Sequence, residues 1–197
     1  MRDGDPPSGA GAPYSSQRTP QEKGSYMEAK RKRALAALAG IGAVGALVVG
    51  AMLIVVPALA TPPVGLTVTP LAPVAQFDPV KSKAKIGDWQ AKIRTKGSSD
   101  LHFVQVTIQP GGTIGWHSHP GLSFVIVKSG TATFYDGDDP SCTPHVVAAG
   151  SSAFEPAGHV HIVRNEGDVP LVNVVMQLVP TGAPRLISEP SPGNCPF

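Results

Sequence analysis

GGTIGWHSHPGLS, residues 111–123, and GSSAFEPAGHVHIVRN, residues 150–165, decide the reading of this chain. The first runs from Gly111 through His117 and His119 to Ser123 and closes at Gly130. The second runs from Gly150 through Pro156, Gly158 and His161 to Asn165. Side chains alternate across a strand, so His117 and His119, two residues apart, can turn to the same side and face one ion. His161 completes the set from a second strand. The glycines and Pro156 suit tight turns, where φ is positive or held by the proline ring. The expectation is a metal site on a small β-barrel.

Around these motifs the chain resembles the cupin superfamily. The first cupin motif is G(X)5HXH(X)3-4E(X)6G, and residues 111–130 match it except at the glutamate, where Ser123 stands. The second is G(X)5PXG(X)2H(X)3N, and residues 150–165 match every fixed position. The resemblance covers Asp78 to Pro184. It implies an all-β fold: a single jelly-roll-like antiparallel barrel with a metal at its open mouth. It also implies His117, His119 and His161 as ligands of a divalent transition metal, Fe, Mn, Ni or Zn. Three neutral imidazoles leave the charge of such an ion uncompensated, and Ser123 offers only a neutral hydroxyl. Glu155 supplies the missing carboxylate if it faces the histidines; on the other strand face it points to solvent.

The expected strands are Trp89–Arg94, Leu101–Gln109, Leu122–Lys128, Thr131–Tyr135, His145–Ala148, Ser152–Glu155, His159–Arg164 and Leu171–Leu178, short β-forming runs between turn residues. Within Leu101–Gln109, His102 shares a face with Val104, Val106 and Ile108. It is either a proton carrier turned into the barrel or a wall residue. Tyr135 either orients a substrate or packs at a hairpin end. The run Asp136-Gly137-Asp138-Asp139-Pro140 reads as a turn, since it lacks the spaced ligands of a calcium loop. Lys81, Lys83 and Lys85 read as a solvated edge.

Residues 1–33 are polar, basic and rich in Gly and Pro, a composition that cannot repay the entropy of ordering. Residues 34–60 then carry no charge. As a helix they exceed the ~30 Å of a bilayer's hydrocarbon, so the expectation is a transmembrane helix or a signal-peptide core. Lys30, Arg31, Lys32 and Arg33 before it predict that the C-terminal domain lies outside the cytoplasm. The small residues Ala58 and Ala60 suit cleavage before Thr61, giving a secreted form, and Met27 is an alternative start. Residues 61–79, with Pro62, Pro63, Pro70, Pro73 and Pro79, read as a stalk, and 80–197 as the barrel domain.

Cys142 and Cys195, the two cysteines of the chain, are expected to pair in an oxidising compartment. The net charge of +2, with its excess in the first 33 residues, argues against nucleic acid as a partner. Two classes of function stand at this point. One is a dioxygenase-like, metal-dependent oxidoreductase acting on a small molecule. The other is a cell-surface module that binds a metal or small ligand without turnover. Cupins often pair through edge strands, so the resemblance also makes a homodimer plausible.

Overall fold

The structure, a computed structural model, describes Tyr14–Ser15 and residues 60–197. The expected transmembrane or signal helix, residues 34–60, lies outside the described residues apart from Ala60, as does nearly all of the expected disordered segment 1–33. The strands in chain order are β1 (Tyr14–Ser15), β2 (Val64–Pro70), β3 (Ala75–Phe77), β4 (Lys81–Ile86), β5 (Trp89–Arg94), β6 (Ser99–Ser118), β7 (Leu122–Ser129), β8 (Thr131–Asp136), β9 (His145–Ala148), β10 (Ser152–Glu155), β11 (His161–Arg164), β12 (Leu171–Pro180) and β13 (Ile187–Ser188). All but β4 and β5 join one sheet, ordered β1-β10-β7-β12-β6-β11-β8-β9, with β2, β3 and β13 also on β6. Apart from the parallel pair β1–β10, every pairing is antiparallel. The result is a nearly closed all-β barrel of the jelly-roll kind, with no helix among the described residues.

The long strand β6 organises this barrel. Its first half pairs with β12 on one edge and with β2 and β3 on the other. Its second half pairs with β11 on one edge and β13 on the other. The crossing from one set of partners to the next falls at Pro110-Gly111-Gly112. There Gly111 N donates to Asn165 O, and Asn165 N donates to Gly112 O. The Asn165 side-chain amide ties the corner by donating to Ile108 O at 2.9 Å and Val169 O at 2.8 Å. Both motifs therefore meet at one corner, and the last residue of the second motif is its clamp.

Alternation along the strands fills the interior. β12 buries Leu171, Asn173, Val175, Gln177 and Val179, with the intervening residues partly exposed. Of these, Leu171 and Val175 join Val104, Val106 and Ile108 of β6 and Val125 and Val127 of β7 in one apolar cluster. A smaller cluster around Trp116, Tyr135, Ile162 and Cys195 lies under the C-terminal segment.

Several expectations are corrected. Residues 61–79 do not form a stalk: they contain β2 and β3, both paired with β6. Alternating β-formers Val64, Leu66 and Val68 explain this, and the prolines sit at strand ends and turns. The barrel domain therefore begins before residue 80. The strand expected at Leu101–Gln109 runs on to Ser118, because Gly111 and Gly112 bend it without breaking it. The expected strand at His159 starts at His161. Lys81–Ile86 pairs with Trp89–Arg94 as a separate hairpin.

Candidate metal centre

His117, His119, Glu155 and His161 converge inside the barrel. Each is buried, and one ligand atom from each lies within 4.8 Å of the others. Donors bound to one ion at roughly 2.0–2.2 Å stand no more than about 4.4 Å apart, so only a small contraction separates this group from a coordination shell. Strand register explains the convergence. His161 is directly opposite His117 across the β11–β6 pair. His119 follows from the end of β6. Glu155 stands at the end of β10, opposite Ser123 on β7.

Backbone carbonyls orient all three rings. His117 Nδ1 lies 2.8 Å from Gly115 O, His119 Nδ1 3.0 Å from Arg185 O, and His161 Nδ1 3.0 Å from His159 O. A carbonyl only accepts, so each contact favours a proton on Nδ1, and in a neutral ring that leaves Nε2 with the lone pair a metal needs. His119 has one complication: Gln177 Nε2 also lies 3.0 Å from its Nδ1. Facing both an acceptor and a donor there, this ring has two tautomers open to it.

The carboxylate is held as firmly. Ser123 Oγ donates to Glu155 Oε2 at 2.5 Å. Glu155 Oε1 lies 3.2 Å from His161 Nε2. Its Oε2 lies 3.2 Å from His119 Nε2, a buried nitrogen with no hydrogen bond of its own. Behind Ser123, Gln177 donates from Nε2 to Ser123 Oγ at 3.3 Å and accepts at Oε1 from Arg185 at 2.9 Å.

Electrostatics favours an ionised Glu155 beside a neutral His117 and draws His161 toward its charged form. Burial pushes the His117 pKa well below its ordinary value, and His161 and His119 push the same way. Burial alone would raise Glu155, but His161, with the contacts from His119, outweighs it and holds the carboxyl well below its usual range. Burial alone would likewise lower His161, and Glu155 overrides it to raise this ring. Arg185 is lowered by burial, against the pull of Glu155.

These residues fit a divalent transition metal. The set is three nitrogens and one oxygen, all buried, with a backbone carbonyl against Nδ1 of each ring as in metal-ligating histidines generally. One nitrogen aimed at the centre has no hydrogen bond of its own. Glu155 therefore faces the histidines, the inward alternative of its sequence reading.

Two other candidates sit elsewhere. Tyr135 points its hydroxyl to Glu166 Oε1 at 2.9 Å and packs its ring on Phe197, in the cluster with Trp116 and Cys195. Its pKa is raised by burial and by Glu166. His102 shares the inward parity of Val104 and Val106 but is only half buried, and the cavity beside the histidines is lined without it.

That cavity is small, about 40 Å³, and combines Val106, Val125 and Val175 with Asn173, Gln177 and Arg185. Asn173 Oδ1 is buried with no hydrogen-bond partner. Sequence reasoning missed Asn173, Gln177 and Arg185. The first two had a signal, being polar residues in the buried phase of an otherwise apolar strand; Arg185, in a loop, had none.

The C-terminal segment closes one side of the site. β13 pairs with Ser118 and His117, and Ser118 Oγ donates to Glu189 Oε1 at 2.7 Å. The expected disulfide is present: Cys142 and Cys195 are bonded across a sequence separation of 53. Nearby, Asp139 accepts from the backbone N–H groups of Ser141 and Thr143. These bonds lower its pKa and make the expected turn.

Residues 104–176 match the family model described as Cupin domain. Among solved structures, an uncharacterised double-stranded β-helix protein from Klebsiella pneumoniae is 26% identical, with 57% of this chain and 85% of that chain covered and a TM-score of 0.39. A Bacillus subtilis oxalate decarboxylase, whose study concerns its Mn(II) centres, is 27% identical over 45% of this chain and 23% of its own, with a TM-score of 0.39. This chain thus spans under a quarter of that decarboxylase. A DMSP lyase from Ruegeria pomeroyi is 23% identical over 46% of this chain and 44% of its own, with a TM-score of 0.40. No protein of curated function matches the chain. With both motifs built into one barrel and the family model matched across its centre, residues 104–176 carry a cupin domain.

Proposed function

We propose that this protein binds one divalent transition metal, Fe, Mn, Ni or Zn, through His117, His119 and His161, with Glu155 as the fourth ligand. The observation that carries this reading is the division of labour on the rings: Nδ1 meets a backbone carbonyl in each, and Nε2 of His119 and of His161 meets the buried carboxylate. Bound there, a divalent ion would supply Lewis-acid polarisation or redox chemistry to a small exchangeable ligand. Metal on Nε2 of His119 would also select the Nδ1–H tautomer, leaving Gln177 to serve Ser123. The protein's own part is to fix ring orientation, to hold the carboxylate in place through Ser123 and to exclude bulk water.

The oxidoreductase reading places an oxygen-sized or similarly small reactant in the cavity beside the ligands, next to Asn173, Gln177 and Arg185. The 40 Å³ of that cavity favours the second reading, a metal-binding module without turnover, for any larger substrate unless the segment around Arg185 moves.

We place the domain outside the cytoplasm, either anchored by residues 34–60 or released by cleavage near Ala60. The basic cluster at residues 30–33 and the Cys142–Cys195 disulfide support this placement.

Elemental analysis of the full chain, purified from membranes without a histidine tag, tests the metal reading beside His161→Ala. One ion per chain, lost in the variant, supports it. No ion after anaerobic reconstitution with each of the four metals overturns it. Metal-dependent oxygen uptake that vanishes in His161→Ala separates the enzyme from the module.

A further inference from the structure

A basic hairpin lies on the outside of the barrel, with no residue in common with the metal centre. Hairpin β4–β5 pairs Lys81 with Arg94, Lys83 with Lys92 and Ile86 with Trp89. Alternation puts Lys81, Lys83, Lys85, Lys92 and Arg94 on one face, and neither strand contains an acidic residue. Like charges directly opposite one another destabilise a two-stranded ribbon. Nothing in the barrel's packing calls for them, because every residue of both strands is exposed.

The other face of the hairpin is apolar and encloses space. Ala84, Ala91 and Ile93 face Phe124, Met176 and Leu178 of the main sheet across a cavity of about 540 Å³. Lys92 is the one charged residue among its lining. That volume is typical of a ligand pocket, and walls of this kind favour hydrocarbon over water. Ile86 and Trp89 continue the same apolar face to the hairpin tip, where they are 78% and 59% exposed. An apolar strip thus runs from an open cavity to an exposed tip, backed by a face of five cations.

We propose that this hairpin docks on an anionic phospholipid bilayer, with its tip in the interface, its cations on the headgroups and one acyl chain in the cavity. Tryptophan is favoured at the bilayer interface, and basic residues are drawn to an anionic surface. Charge excludes a symmetric contact between two copies of this face. Placement agrees: only three residues separate Ala60 from β2, at most about 14 Å of chain from Ala60 to Val64. On the anchored reading proposed above, a segment entering a membrane before Ala60 would keep the start of the barrel within that distance of its surface.

Trp89 reports on the docking, while Trp116, buried in the second cluster, gives a constant background. The full chain is reconstituted into vesicles of brominated phosphatidylcholine, alone or mixed with brominated phosphatidylglycerol. The expected result is quenching of Trp89 emission in the mixed vesicles and little in the neutral ones, with Trp89→Phe giving the background. Lys83→Gln with Lys92→Gln, a change mild enough to keep the hairpin folded, should weaken docking about 30-fold and be mimicked by high salt. Ala91→Trp, which fills the cavity, should reduce quenching with the charges intact. Equal quenching in both vesicle types, no quenching in either, or uptake of free fatty acid without bilayer quenching would each overturn the proposal.

Discussion

Ser123 and Glu155 are cross-strand neighbours on β7 and β10, and the serine hydroxyl donates to the glutamate carboxylate at 2.5 Å. The cupin motif's glutamate position is Ser123, so the carboxylate has moved one strand sideways and still faces the three histidines. A serine there leaves room for the longer side chain opposite and supplies its hydrogen bond.

Glu155→Gln therefore removes the only negative charge among the four central groups. Metal affinity is expected to fall by two orders of magnitude or more. Ser123→Ala leaves the ligands in place but unties Glu155, and a fall of about 10–100-fold is expected. Competition titration against a chromophoric chelator measures both. Equal affinity in wild type and Glu155→Gln would show that the carboxylate is not a ligand.

Metal removal should lower stability. An ion that binds only the folded chain, at a free concentration about 1,000 times Kd, contributes about 4 kcal/mol, or roughly 10 °C in Tm for a domain of this size. Thermal melts with and without EDTA should differ by that order, and His117→Ala should show no difference.

Cys195→Ser opens the loop closed by the disulfide. On the chain-entropy model the cost is about 4 kcal/mol, readable as a shift in denaturant midpoint. The same variant frees the C-terminal segment whose Arg185 carbonyl orients His119, so its metal affinity should also drop. An unchanged affinity would show that the segment holds its place without the bond.

Gly121 is a close-packing position between the first motif's histidines and Ser123. A Cβ there would lie 2.0 Å from Leu178 O, whereas one at Gly97 meets nothing within 4 Å. Gly121→Ala should cost about 1–3 kcal/mol or more, since a backbone carbonyl cannot rotate aside. Gly97→Ala should stay within about 0.5 kcal/mol of wild type. Urea melts of the two variants check the difference.

The barrel class, most strand positions and the three histidines were legible because each depends on local spacing. HXH on a strand puts two rings on one side, and the second motif brings a third within reach. Residues 61–79 were misread because proline content suggested a spacer, while pairing with β6 is a long-range fact that composition does not carry. His102 and Tyr135 were ambiguous for the same reason. Parity assigns a face, but whether that face meets the metal cluster, another wall or a satellite core depends on which strand lies opposite.

The chain alone thus determined the type of fold, the imidazole donors and the two cysteines available to pair. Tertiary structure decided where the carboxylate comes from. Glu155 and Ser123 are far apart in sequence and become partners only through the register of β10 against β7, which is set by burial along both strands. Register likewise put Gln177 behind Ser123, closed the tail over His119, and left an apolar cavity between a basic hairpin and the sheet. Each of these depends on pairing between segments distant in the chain, which local spacing does not encode.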